Sequence, residues 1–246
     1  MLSPQAQLPL EGGRKPRFEN YQVGSNAAAL GALRHWLEQE DADACLLEGP
    51  SGCGKTHLLM GALWAWQQQG RPGLRVALGQ GGLLPEARSL VGGLLAIDDL
   101  DRLQPEQCLG LMRAIDAARE GRWRVLLASR VPVAALELPF EDLRSRLQWG
   151  ARLHLRPLDE SGLAELLAAR AAELGVQWPQ RNSEYLLRRL PRQPAVLLAA
   201  FDAAYTQATA TGRQLAVPLL TELLASAQFR TAVEQAAAEP EGAGQE

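Results

Sequence analysis

Apolar and polar positions follow two regimes along this chain, and the change falls near residue 156. Before it, short strand-length segments stand at 44–47, 74–78, 94–97, 125–128 and 151–155. The runs at 44–47, 94–97 and 125–128 are wholly apolar, the pattern of strands buried on both faces. Between the segments, apolar residues recur every three or four positions and predict helices over 27–39, 56–69 and 105–120. Ser25 and Asn26 form a start signal for the first of these helices. Gly70 and Gly121 stand just past the other two, and Pro105 opens the last. Strands alternating with helices at this spacing predict an α/β domain whose parallel sheet is covered on both faces.

After residue 156 only helical periodicity remains, at 160–174, 183–190, 194–210 and 218–227, with Asp159 placed as an N-cap. The expected organisation is therefore an extended lead-in at 1–17, an α/β domain at 18–156 and a small all-helical domain at 157–228. A disordered tail follows at 229–246, where the sequence drifts into Ala, Glu, Gln and Gly.

Composition narrows the function. A formal net charge of −3 argues against a surface that coats DNA, although it leaves room for a local basic patch. No apolar run is long enough to span a membrane, and the N-terminus lacks a basic-then-apolar leader, so a cytoplasmic chain is expected. Cys45, Cys53 and Cys108 are odd in number with no CxxC pair, and the histidines are scattered, which speaks against a disulfide framework or a zinc site. The chain holds 23 arginines but only two lysines, Lys15 and Lys55. A lysine at 55 is therefore not a generic positive charge.

That lysine lies in Gly49-Pro50-Ser51-Gly52-Cys53-Gly54-Lys55-Thr56, a complete G-x-x-x-x-G-K-[ST] loop between a predicted strand and a predicted helix. Glycines let the backbone curl so that its N–H groups converge on phosphate oxygens, and the helix that follows adds its positive end. Lys55 places a compact charge between β- and γ-phosphates, and Thr56 offers a hydroxyl to Mg²⁺. The run Leu94-Leu95-Ala96-Ile97-Asp98-Asp99 supplies the expected second half, an apolar strand ending in acid. Asp98 would hold Mg²⁺ through water, and Asp99 would orient or deprotonate the attacking water. Ser129, at the end of another predicted strand, would sit beside the γ-phosphate if that strand neighbours the other two. A simple turn former is the competing reading of Ser129.

Together these residues resemble the AAA+ ATPases, in the branch that contains the replication initiator DnaA. His57-Leu58 after the loop, the Asp98-Asp99 pair and the segment from Phe18 to Asn26 carry the likeness. The resemblance implies that Val23 and Gly24 pack on adenine, with His57 and the loop completing the site for ADP or ATP. The stretch Asp142-Leu143-Arg144-Ser145-Arg146-Leu147-Gln148-Trp149-Gly150 resembles the family's arginine-finger box. Arg146 would be the finger that reaches a neighbouring subunit's nucleotide, with Arg144 as the competing candidate.

Within that branch the likeness narrows to regulatory relatives of DnaA that promote hydrolysis of its ATP. DnaA-like initiators continue past the helical domain into a helix-turn-helix DNA reader, whereas this sequence stops at Glu246. Gln5-Ala6-Gln7-Leu8-Pro9-Leu10 resembles the peptide by which such regulators dock on the DNA polymerase sliding clamp, an extended segment suited to a shallow apolar groove. The partners implied are the sliding clamp and DnaA, with DNA met through the clamp and self-association left open. Two departures stand out. Ala6 is smaller than the usual leucine, and Ala195 occupies the expected place of a sensor arginine, with Arg192 nearby as a possible substitute. The resemblance with these departures implies weak intrinsic turnover and a chain that acts mainly on the nucleotide of a partner. The rival reading is a helicase-loading or transposition-helper ATPase that binds single-stranded DNA, because such proteins share the Gly54-Lys55-Thr56-His57-Leu58 run.

Overall fold

The three wholly apolar runs become the centre of one sheet. The protein is described here from a computed structural model covering residues 15–39, 44–78, 92–226 and Phe229. Its strands are β1 (Ala44–Glu48), β2 (Gly73–Ala77), β3 (Leu94–Asp98), β4 (Arg124–Ser129) and β5 (Ala151–His154). All pairings are parallel, in the order β2-β3-β4-β1-β5. β1, β3 and β4 are buried along their whole length, whereas the edge strands β2 and β5 carry the mixed sequences.

Among the described residues four helices cover this sheet: α1 (Ala27–Glu38), α2 (Lys55–Gln67), α3 (Pro105–Arg119) and α4 (Glu141–Trp149). Strand alternation divides the core in two. Leu46, Leu95, Ile97, Val125 and Leu127 pack with Leu111 and Ile115 of α3 and with Leu143 and Leu147 of α4. Cys45, Leu47, Leu94, Ala96, Leu126 and Ala128 pack with Leu33 of α1 and with Leu58, Leu59 and Ala62 of α2. Each fully buried leucine contributes roughly 1.5–3 kcal/mol, so both layers are strongly held. Helix α4 lay outside the helices expected from periodicity, because Leu143 and Leu147 are its only buried positions in a charged segment.

The strand order positions the site. β4 lies between β3 and β1, so the carboxyl ends of all three emerge side by side, where open α/β sheets place their ligands. At the opposite end Arg124 is buried and donates to the carbonyls of Trp36 (2.8 Å), Leu37 (2.9 Å) and Gln39, which closes the C-terminus of α1.

Chain contacts divide the protein into two units, the first being Pro16–Pro157. In the second, from Leu158, helices α5 (Glu160–Glu173), α6 (Gln180–Arg189), α7 (Pro194–Thr211) and α8 (Val217–Ala225) enclose Leu163, Leu167, Leu186, Leu197, Phe201 and Leu220. Asp159 caps α5 by accepting from the Gly162 amide at 2.8 Å. Helix α6 starts three residues before the periodicity predicts, because two polar side chains point inward at its start. Asn182 donates to the Leu215 carbonyl at 2.9 Å, and the Ser183 hydroxyl accepts from Trp178 Nε1 at 2.8 Å. Among the described residues no helix is long and apolar enough to cross a membrane. The segment from Gln5 to Leu10 and nearly all of the expected tail lie outside the described residues.

Candidate functional site

The loop joining β1 to α2 is shaped by its glycines. Gly52 and Gly54 take φ of +77° and +84°, a region that side chains disfavour. A Cβ on Gly49 would lie 2.4 Å from the Leu155 carbonyl oxygen, and one on Gly54 would lie 2.6 Å from the Tyr21 ring. The loop is thus curled and closely backed at both ends. Lys55 opens α2, is almost fully buried, and donates from Nζ to the carbonyls of Gly49 and Pro50 at 2.8 Å each. Its ammonium therefore sits inside the curl, 3.7 Å from Cys53 Sγ. No side chain caps the start of α2 at Gly54, the arrangement in which a helix N-terminus serves an anion.

The segment from Phe18 to Asn26 lies against this loop. Tyr21 Oη donates to the Cys53 carbonyl at 3.0 Å and accepts from Asn26 Nδ2 at 3.0 Å. The Tyr21 and His57 rings are 5.6 Å apart, and His57 Nε2 lies 2.9 Å from the Arg17 carbonyl. Val23 packs on the same core as α2, and Gly24 takes a φ of +49°. Val23, Gly24, His57 and the loop are thus brought to one place.

The acids at the end of β3 have different surroundings. Asp98 is buried; its Oδ2 accepts from Arg75 Nη2 at 3.0 Å and its Oδ1 from the Asp99 amide at 3.1 Å. A divalent ion meeting this carboxylate would share it with Arg75. Asp99 has a φ of +57° and is the non-glycine residue with positive φ among those described. Burial, and then the charge of Asp98, push its carboxyl above the ordinary value. Asp101 behaves oppositely: burial would raise it, but Arg130 holds it low through contacts at 2.6–2.9 Å. That pair ties the end of β3 to the end of β4.

Ser129 ends β4 beside the loop, and its carbonyl accepts the Gly49 amide at 3.2 Å. Its hydroxyl is turned into a local turn, donating to the Val131 carbonyl at 2.7 Å. The Glu48 carboxylate is buried next to Gly49, accepting from the Val133 amide at 3.0 Å, with His154 Nδ1 3.1 Å from its other oxygen. Thr56 lies in the first turn of α2.

Arg146 and Arg144 stand apart from this cluster, on α4. Arg146 pairs with Asp116 of α3 at 2.8 Å and with Asp142, and lies 5.5 Å from the Trp149 ring centre. Arg144 donates to the carbonyls of Val133 (2.7 Å) and Leu136 (3.0 Å), so it pins the segment before α4. In the helical unit Ala195 is the second residue of α7, and Arg192 forms an ion pair with Glu160.

Arg75, Glu48 and Arg130 were not foreseen from the sequence. The signal for Glu48 was a charged residue ending a buried run. For Arg75 and Arg130 there was none, because their partners are set by strand order.

The architecture is a five-stranded parallel sheet flanked by helices, with a glycine-rich loop after β1, and it is the fold of solved DnaA and RuvB structures. More particularly, domain III of the replication initiation protein DnaA from Thermotoga maritima superposes with a TM-score of 0.72 at 19% identity, over 87% of this chain and 96% of that one. AMPPCP-bound DnaA from Aquifex aeolicus gives 0.65 at 20% identity, over 81% of this chain and 66% of its own. The Thermotoga maritima RuvB Holliday junction branch migration motor gives 0.63 at 18%, over 84% of this chain and 72% of its own. No protein-family model matches the chain.

Proposed function

We propose that this chain binds an adenine nucleotide on residues 49–56 and acts as a regulator of DnaA of the Hda type. The observation that carries the nucleotide reading is the loop itself, a curled backbone around the Lys55 ammonium, closed by Tyr21 and backed by Leu155. Phosphates would replace the Gly49 and Pro50 carbonyls as partners of Lys55. Val23, Gly24 and His57 would border the base; Thr56 is the residue that would meet Mg²⁺, with Asp98 sharing its carboxylate between the ion and Arg75, and the ion would supply charge neutralisation between β- and γ-phosphates. Asp99 would act on an attacking water in this reading, and Ser129 would need its hydroxyl turned from Val131 to join them.

The regulatory part of the reading rests on the arginine-finger box and on the segment Gln5-Ala6-Gln7-Leu8-Pro9-Leu10. In this reading the segment docks on the DNA polymerase sliding clamp in the cytoplasm, and Arg146 leaves Asp116 to reach ATP bound to DnaA. Hydrolysis there turns initiation off. The nucleotide of this chain is then structural, setting the site and the helical domain, and ADP suffices.

The test mixes ATP-bound DnaA, clamp loaded on DNA and this protein. Hydrolysis should accelerate, and the acceleration should be lost with Arg146→Ala and on removal of residues 1–11. An unchanged rate in the complete mixture rejects the regulatory reading. Retention of ADP and ATP by Lys55→Ala at wild-type affinity rejects the nucleotide site. A salt-dependent shift of single-stranded DNA, with no clamp capture, would instead support a helicase-loader type of ATPase.

A further inference from the structure

Arg75 lies on β2, one strand beyond β3, and the pairing sets Arg75 opposite Ala96 and Ala77 opposite Asp98. Arg75, Ala96 and Asp98 therefore share one face of the sheet, the face that packs on α2, and the two charged side chains meet diagonally. Asp98 is 2% exposed and Arg75 16%, so the ion pair is largely shielded from water. With Oδ2 on Arg75 and Oδ1 on the Asp99 amide, both carboxylate oxygens are engaged. A monodentate site for a hydrated divalent ion needs one oxygen and an unneutralised charge. The Arg75 guanidinium engages Oδ2 and offsets the charge, which leaves an ion only the remaining lone pair of Oδ1.

We infer that Arg75 is a built-in counter-cation for Asp98, so that this chain holds its nucleotide with little dependence on Mg²⁺. The inference rests on the reading of residues 49–56 as a nucleotide site. Lys55 then lies within the loop, and Arg75 pairs with the acid that ends β3. An ion entering between them must either displace Arg75 from a buried partner or share one carboxylate with it, and like charges close together in a poorly solvated site repel strongly. A guanidinium suits the task because it never deprotonates and its planar fork holds a carboxylate oxygen in a set direction. The arrangement favours retention of nucleotide over turnover. It acts by positioning and charge through its ion pair with Asp98.

The test is ADP and ATP affinity of the full chain, measured by calorimetry in Mg²⁺ and again in EDTA. For the wild type the two dissociation constants should agree within about threefold, under about 0.7 kcal/mol. Arg75→Met should create Mg²⁺ dependence of about tenfold or more, which is 1.4 kcal/mol. Arg75→Lys keeps the charge and should restore indifference to the ion, and Asp98→Asn in the Arg75→Met background should abolish the new dependence. A wild type that binds tenfold or more tightly with Mg²⁺ overturns the inference and leaves the nucleotide site standing. That comparison needs no variant to fold. Failure to bind nucleotide in either buffer overturns the reading of the loop, and the inference with it.

Discussion

Asn26 and Arg156, 130 residues apart in the chain, exchange two hydrogen bonds: Asn26 Nδ2 donates to the Arg156 carbonyl at 2.9 Å, and Asn26 Oδ1 accepts the Arg156 amide at 2.8 Å. A primary amide is the side chain that can satisfy a backbone donor and acceptor at once. Asn26 is buried, and the same Nδ2 also reaches Tyr21 Oη, which holds the Cys53 carbonyl. The exit from β5, the entry to α1 and the loop between β1 and α2 are thus linked through one side chain.

Removing that amide leaves a backbone donor and acceptor without their partner, each costing about 1–3 kcal/mol when buried. The Arg156 backbone is only part-buried, so water replaces some of the loss and Asn26→Ala should lose about 1–3 kcal/mol in urea unfolding. Asn26→Asp buries a carboxylate and turns one of its oxygens against the Arg156 carbonyl, so it should lose at least as much as Asn26→Ala. Equal stability of Asn26→Ala and wild type would show that the clamp contributes nothing.

Two glycines should respond oppositely to alanine. At Gly49 a Cβ would meet the Leu155 carbonyl at 2.4 Å, so Gly49→Ala must shift backbone and should cost about 1–3 kcal/mol even without nucleotide. Gly31, exposed in the middle of α1, has nothing within 4 Å of an added Cβ. Gly31→Ala should stabilise by about 0.5–1 kcal/mol, because alanine loses less backbone freedom in a helix. Chemical denaturation of both variants in the apo state checks the pair.

Asp99 should carry a stability cost at neutral pH. Its native carboxyl is held above the ordinary value by burial and by Asp98, so in the window between the two values the folded state keeps a proton that the unfolded chain has lost. Stability from that proton is present at low pH and is lost as pH rises through the native value. Asp99→Asn, which has no charge and tolerates a φ of +57°, should therefore be more stable than wild type at neutral pH. The gap should narrow on acidification. Thermal unfolding of both proteins across that range tests it, and a gap that widens toward acid would reverse the sign argued here. Any intrinsic ATP hydrolysis should fall in the same variant.

Much of this architecture was legible because local rules and tertiary structure agree. The runs 44–47, 94–97 and 125–128 are apolar on both faces and became the buried strands, and the glycines of the loop announced a curled turn between strand and helix. What stayed hidden depended on which strands are neighbours. Arg75 meets Asp98 only because β2 pairs with β3, and Asn26 meets Arg156 across the whole first unit. The turn of the Ser129 hydroxyl toward Val131 is a local choice that residue type does not reveal. In a chain with 23 arginines, Arg146 could be read as a finger, but its pairing with Asp116 could not.

That pairing makes the regulatory reading specific. Arg146 is held between Asp116 and Asp142, and it can reach a second protein's nucleotide only by giving up Asp116 on α3. If Arg146 acts as a finger, Arg146→Ala should lower the stimulated hydrolysis by DnaA roughly a thousandfold. Arg146→Lys should recover part of it, since an ammonium keeps the charge without the planar fork. Asp116→Asn should match or exceed wild-type stimulation, because the arginine leaves a weaker partner. Arg144 provides the contrast. It donates to the Val133 and Leu136 carbonyls, so Arg144→Ala should lose about 1–3 kcal/mol of stability while stimulation persists at temperatures where the variant is folded. Rates measured alongside unfolding curves for all four variants decide between the two arginines. Stimulation abolished in a fully folded Arg144→Ala, with Arg146→Ala active, would move the finger two residues back along α4.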